Sequence, residues 1–216
     1  MTQPPPWFAE LLDAAELLGA DGEICDEDFV GTDLRGLSLS RRQFTRCRFD
    51  EAALDGWQTE ACSFTDCSFD RAELIGSVHL RSAFVTCSFV RSRFTDSTLT
   101  DCKFTGSTFV DTPLRSVTVA GGDFTAVSLG GADLRGLDLS GCKLVDANLV
   151  GARLDGCRFT GANLRGLRWN EASLVDADLR GAVLDGLDPR VVNLTGTRVE
   201  LGQAVEFARY LGLVIS

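Results

Sequence analysis

The chain has 216 residues, 44% hydrophobic and 24% charged, with a formal net charge of −10 and a pI near 4.6. That balance argues against direct binding of nucleic acid or an anionic membrane and favours a basic partner surface. No run reaches the roughly 18 consecutive apolar residues of a membrane span, so none is expected.

The first expected element is a short acidic cap over residues 1–23, whose five carboxylates face no Lys or Arg. Within it WFAELLDAAELL (7–18) is predicted to be a helix with Trp7, Leu11, Ala14, Ala15 and Leu18 along one side, ending at Gly19. The start MTQPPPWFAELL lacks the basic beginning and apolar centre of a signal peptide, which makes the cytoplasm the expected compartment.

A repeat follows from Ile24 to Val199. Every fifth residue is large and apolar at 33 of 36 places, the exceptions being Thr59, His79 and Pro189. The residue two places earlier is nearly always small, as in CSFTD (62–66) and ADLRG (132–136). A period of five is neither helical nor that of a strand, so this is a repeat architecture. Both residues of each unit are predicted to point inward, with backbone groups pairing between coils.

In rows of twenty the chain shows columns. Phe44, Phe64, Phe84, Phe104 and Phe124 share one face, and Phe49, Phe69, Phe89 and Phe109 the next, with leucine replacing them towards the C-terminus. Seven of eight cysteines (Cys47, Cys62, Cys67, Cys87, Cys102, Cys142, Cys157) take the small inward position, so packed free thiols are expected rather than a metal or redox motif. Thr59 and His79 share a column beside Trp57, which occupies a small inward place, and Leu80. Two readings are open: a hydrogen-bonded, distorted corner, or a contact surface with Trp57 and Leu80 turned outward. Pro113 and Pro189 are expected kinks.

The last element, VELGQAVEFARYLGLVIS (199–216), is predicted to be a helix from about Leu201 to Leu211 followed by an apolar tail. Its apolar excess suggests a capping and dimerising segment over 200–216, with Leu201, Val205, Ala208, Leu211, Leu213 and Ile215 as the contact set.

These pentapeptides resemble the pentapeptide-repeat family. The resemblance implies an all-β, right-handed quadrilateral β-helix over 24–199, four pentapeptides to a coil and about nine coils. At about 4.8 Å per coil the rod would be roughly 42 Å long. GGADLRGLDLSGCKL (130–144), ASLVDADLRGA (172–182) and the VELGQAVEFARYLGL ending further resemble Qnr/MfpA-type proteins. That resemblance implies a homodimeric DNA mimic that binds DNA gyrase or topoisomerase IV and lessens the effect of quinolones or other gyrase poisons. The chain differs in its acidic N-terminal extension and in having no out-of-phase insertion for a projecting loop.

Outward carboxylates of the C-terminal coils are the candidate topoisomerase contacts: Asp133, Asp138, Asp146, Asp155, Asp176, Asp178 and Asp185, with Trp57 as a further candidate. Basic residues such as Arg135, Arg153 and Arg180 are interleaved among them, so no face is a pure acidic stripe. A protein-interaction scaffold for some other partner is the alternative. One histidine, no nucleophile motif, no phosphate loop and no metal-spaced cluster point away from an enzyme, a catalytic residue, a metal or a cofactor.

Overall fold

The computed structural model describes residues 22–114 and 116–215; the predicted N-terminal helix lies outside them. The chain winds as a parallel β-solenoid. One sheet stacks β1 (Glu23–Cys25), β3 (Gln43–Thr45), β5 (Ser63–Thr65) and β7 (Ala83–Val85). A second stacks β2 (Ser38–Ser40), β4 (Gln58–Glu60), β6 (Val78–Leu80), β9 (Thr98–Thr100) and β11 (Thr118–Ala120), and a third pairs β8 (Ser88–Val90) with β10 (Thr108–Val110). Beyond these, single parallel bridges carry the ladder on to Asp178↔Arg198. Every pair is offset by twenty residues, which is four pentapeptides per coil.

The local cause of each corner is a residue two places past the buried centre with positive φ. At Leu139 the turn closes with Cys142 N–H donating to the Leu139 carbonyl (3.2 Å), and Gly141 between them has φ 68°. A turn of that kind needs a left-handed third residue, which is why glycine fills this place through most of the C-terminal half. In the N-terminal half Arg, Asp, Glu, Thr and Ala take the same conformation.

The core is the lattice predicted from sequence. Twelve phenylalanines are buried. Phe44, Phe64 and Phe84 stack at 4.8 Å, Phe84 on Phe104 at 4.9 Å, and the adjacent column meets them edge-on. The seven inward cysteines are buried free thiols and Cys25 is exposed. Five of them, Cys47, Cys67, Cys87, Cys102 and Cys157, donate S–H to carbonyls of the preceding coil, as Cys47 does to Ile24 (3.4 Å). Burial pushes the Cys142 and Cys157 thiols up to about 12, so they are unreactive at neutral pH.

Trp57 is completely buried, against the expectation that it could face a partner. It packs beside Phe49, Phe64, Phe69 and the ring of His79. The reason is an exchange of volumes: Thr59 occupies the large inward place of the same pentapeptide, so the indole fills the space a leucine would take. His79 and Thr59 are satisfied inside the tube. Thr59 Oγ1 lies 2.8 Å from His79 Nδ1, and its O–H donates to Ser82 Oγ (2.9 Å). His79 Nε2 lies 3.0 Å from Ser77 Oγ. Burial holds the imidazole down at about 3, so the ring is neutral.

Both expected kinks are present. At Pro189 the chain makes a short 3-10 turn, Pro189–Val191, capped by the Asp188 side chain accepting from Arg190 N–H (2.9 Å). Around Pro113 the ladder opens. The bridges Arg93↔Pro113 and Pro113↔Asp133 are absent from the otherwise continuous series on that face, and the next face lacks Thr118↔Asp138. The other two faces stay zipped through Lys103↔Asp123 and Thr108↔Ser128. The Phe104–Phe124 stack widens to 5.5 Å at this level.

The C-terminal helix α1 (Leu201–Tyr210) closes the rod. Gln203 does most of the capping: its Oε1 accepts from Glu200 N–H (2.8 Å), and its Nε2 donates to the Leu179 (2.7 Å) and Ala182 (2.8 Å) carbonyls. Phe207 packs on the core. Those carbonyls would otherwise be open strand-edge acceptors.

Candidate interaction surface

The outward side chains form rows of acids and arginines one coil apart. Arg48 pairs with Asp28 (3.1 Å), Arg93 with Glu73 (3.1 Å), Lys143 with Asp123 (3.1 Å) and Arg158 with Asp138 (3.5 Å). This pairing follows from the twenty-residue register, which brings position i beside i+20 on a ladder spacing.

The seven candidate carboxylates are therefore not equivalent. Asp133 is half-buried and grips Arg135 (2.7 Å), with Arg153 at 3.8 Å; the Arg135 guanidinium holds its carboxyl down at about 2. Asp178 is buried, only 8% exposed, against its expected outward role. It accepts from Arg180 Nη2 (2.6 Å), Nε (2.9 Å) and backbone N–H (3.1 Å), which holds it at about 2. Asp138 accepts from Ser140 N–H (3.0 Å), and that contact with Arg158 nearby lowers its pKa. Asp155 braces two coils, accepting from the Ser173 hydroxyl and Val175 N–H (3.1 Å).

Asp146, Asp176 and Asp185 are exposed. Asp146 and Asp176 sit at left-handed corners, and their carboxylates lie over Gly166 and Gly196 of the next coil, in the space a Cβ would take. Asp185 has only a loose pair with Arg165 (3.8 Å). Asp185 adjoins Gly186, two coils beyond Asp146, so these two share a corner while Asp176 stands at the opposite one.

The end of the rod offers a different chemistry. Leu201 is 83% and Val214 95% exposed, and Leu211, Leu213 and Ile215 are exposed beside them. Val205 and Ala208 of the predicted contact set are half-buried rather than exposed. Sequence reasoning missed Gln203 and Phe207 as the capping pair. The signal available was their spacing of four, which puts them on one side of a helix.

Among the described residues no group of His, Cys, Asp and Glu is arranged to hold a metal ion, and the single histidine is sealed in the core. No described helix is long and apolar enough to cross a membrane.

A square, parallel solenoid with one large and one small inward residue per five defines the class of this protein. Residues 123–161 and 157–196 match the family model for pentapeptide repeats. That stretch carries eight copies of the pentapeptide repeat. No match is found among curated proteins. Among solved structures it is similar to a trypsin-treated variant of QnrB1, a plasmid-mediated fluoroquinolone resistance protein, at 24% identity and TM-score 0.61, covering 90% of this chain and 97% of that one. Full-length QnrB1 gives 22% identity and TM-score 0.61 over 88% and 97% of the two chains. HetL, a pentapeptide repeat protein from the cyanobacterium Nostoc sp. strain PCC 7120, is 19% identical with TM-score 0.49 over 89% and 94%.

Proposed function

We propose that this rod is a Qnr-like protein that binds a bacterial type II topoisomerase, DNA gyrase or topoisomerase IV, and modulates its response to quinolones or related poisons. The observation that carries the reading is the near full-length likeness to QnrB1, a fluoroquinolone resistance protein, in a rod that ends in a helix and an exposed apolar tail. Binding is by protein surface, with no catalysis and no cofactor. The deciding experiment is supercoiling by purified gyrase with and without a quinolone, across a titration of this protein. No change in activity or in drug-stabilised cleavage at any concentration would overturn it.

The contact carboxylates are Asp146, Asp176 and Asp185, because their charge is exposed and not closely paired. Replacing all three with Asn is expected to weaken gyrase binding by about one order of magnitude, chiefly through encounter, with little change in melting. Binding is also expected to weaken as salt rises to physiological strength, where the Debye length is about 8 Å. Replacing Asp133, Asp155 and Asp178 instead is expected to lower the melting temperature, since these hold neighbouring groups. Binding that ignores both salt and the triple replacement would exclude a DNA-like electrostatic contact.

A homodimer forms through residues 192–216, with Leu201, Leu211, Leu213 and Ile215 as its apolar centre and Val205 and Ala208 at its margin. Removing 200–216 is expected to give a monomer or an aggregating open edge, because Gln203 and Phe207 leave with the helix. Full-length protein sedimenting as a monomer at micromolar concentration would contradict this.

A second reading, a scaffold for a different partner, is favoured by the neutralised rows of Asp and Arg, which leave the rod far from the charge density of DNA, about one charge per 1.7 Å. Failure to capture gyrase at low and at physiological salt would favour it.

A further inference from the structure

We propose that the break beside Pro113 receives an extended peptide segment of a partner protein as an added strand between residues 111–114 and 130–132. This site is separate from Asp146, Asp176, Asp185 and the C-terminal helix, with Asp133 and Arg135 at its edge, and it does not rest on the topoisomerase reading.

Three observations converge there. First, the ladder is open on two adjacent faces and closed on the other two, so the coils part like leaves hinged on the far side. Asp111 and Leu114 have no backbone acceptor for their N–H groups among the described residues, and the Gly130 carbonyl has no backbone donor. The corresponding groups are bonded in neighbouring coils, Arg91 N–H to the Val110 carbonyl at 2.8 Å one coil earlier and Leu134 N–H to the Arg153 carbonyl at 2.9 Å one coil later. Open strand edges of this kind are what an added strand completes.

Second, the opening is a cavity of about 570 Å³ lined by Phe109, Val110, Thr112, Pro113, Gly130 and Ala132 among others. Its size falls in the range of about 300–1,000 Å³ typical of ligand sites. Its apolar wall is extended along the rod by the exposed Val110 and Val150, which suits β-branched side chains on the incoming strand.

Third, Gly130 has no conformational reason to be glycine. Its φ is not positive, and a Cβ there would meet nothing closer than Asn148 Nδ2 at 3.4 Å. Every other residue of its outward column (Val30, Asp50, Asp70, Val90, Val110, Val150, Asn170, Arg190) carries a side chain. A bare backbone at the lip of the cleft permits close approach of another backbone.

The test uses ¹⁵N-labelled full-length protein and the synthetic pentapeptide Thr-Val-Thr-Val-Thr, capped at both ends, beside a twin N-methylated at alternate residues. The expected result is saturable shifts of the amides at 111, 112, 114 and 130–132 at sub-millimolar peptide, with the methylated twin at least tenfold weaker. Gly130→Val, a side chain already present at 110 and 150, is expected to weaken the peptide at least tenfold without changing the melting curve. The amides at 111 and 114 are expected to exchange rapidly with solvent before peptide is added. Slow exchange there, no saturable shift, or equal binding of the methylated twin would overturn the proposal. Should Gly130→Val lower the melting temperature, the comparison of the two peptides on the unaltered chain decides. Shifts at these amides that grow with protein concentration alone would assign the cleft to a second copy, and the proposal would fall.

Discussion

Phe84→Ala is expected to destabilise the rod by about 3–5 kcal/mol. The ring is completely buried, stacked between Phe64 at 4.8 Å and Phe104 at 4.9 Å and met edge-on by Phe69, Phe89 and His79. Its backbone is pinned, with the Phe84 N–H donating to the Lys103 carbonyl at 2.7 Å. The coils above and below are held at ladder spacing, so the cavity has no way to collapse, which places the loss at the upper end for such changes. Phe84→Leu is expected to cost less than half as much, because leucine fills this same column at 144 and 164. Cys87→Ala is expected to cost well under about 1 kcal/mol: it removes one weak S–H bond to the Phe64 carbonyl (3.4 Å) from a place that alanine fills elsewhere. Denaturant melts of the three variants check the ordering, and equal small losses for Phe84→Ala and Cys87→Ala would contradict a tightly packed tube.

Stability is expected to fall as pH drops from about 6.5 towards 3, through His79. Burial lowers this imidazole from 6.5 to about 3 in the folded chain. Above 6.5 both folded and unfolded chains hold it neutral. Below 6.5 the unfolded chain binds a proton that the folded chain refuses, so the unfolded state gains about 1.4 kcal/mol per pH unit. Over the two units from 6.5 to 4.5 the loss is expected to be about 2–3 kcal/mol. The carboxylates of Asp133, Asp178 and Asp188, held at about 2, lose their contribution only below their ordinary value of 3.8, outside this window. A Thr59→Leu, His79→Leu double variant, which restores the leucine of Leu39 and Leu99 in that column, is expected to be flat between pH 6.5 and 4.5. A wild-type protein whose denaturation midpoint stays level across the window would show that the ring is not sealed.

The neutral ring also explains how a polar column survives inside the tube. One arrangement uses each proton once: His79 Nδ1–H to Thr59, Thr59 to Ser82, Ser82 to the Leu80 carbonyl, Ser77 to His79 Nε2 and Ser97 to the Leu74 carbonyl. Every member then has a partner, which is the condition for burying such a network without a large penalty.

The sequence by itself determined the period, the inward residues and the helix at the C-terminal end. Their physics is local and repeated: one large and one small side chain per five leaves a single way to wind, and each coil confirms the last. It also determined that Phe84, Cys87 and their columns are core. Tertiary structure alone decided which carboxylates are free, because the twenty-residue register sets Asp133 beside Arg153 and Asp138 beside Arg158, pairings that composition counts do not resolve. The same holds for Asp178, drawn inward onto Arg180 while Asp146 and Asp176 lie open over glycines. Of the two readings open for Trp57 the buried, hydrogen-bonded corner holds and the outward contact does not; the space it fills is made by Thr59 two residues on and by His79 a coil away, and volume is shared among neighbours in three dimensions. The opening at Pro113 belongs to the same category. A proline predicts one missing donor, but whether two faces part or only one hydrogen bond is lost depends on how the coils on either side stack.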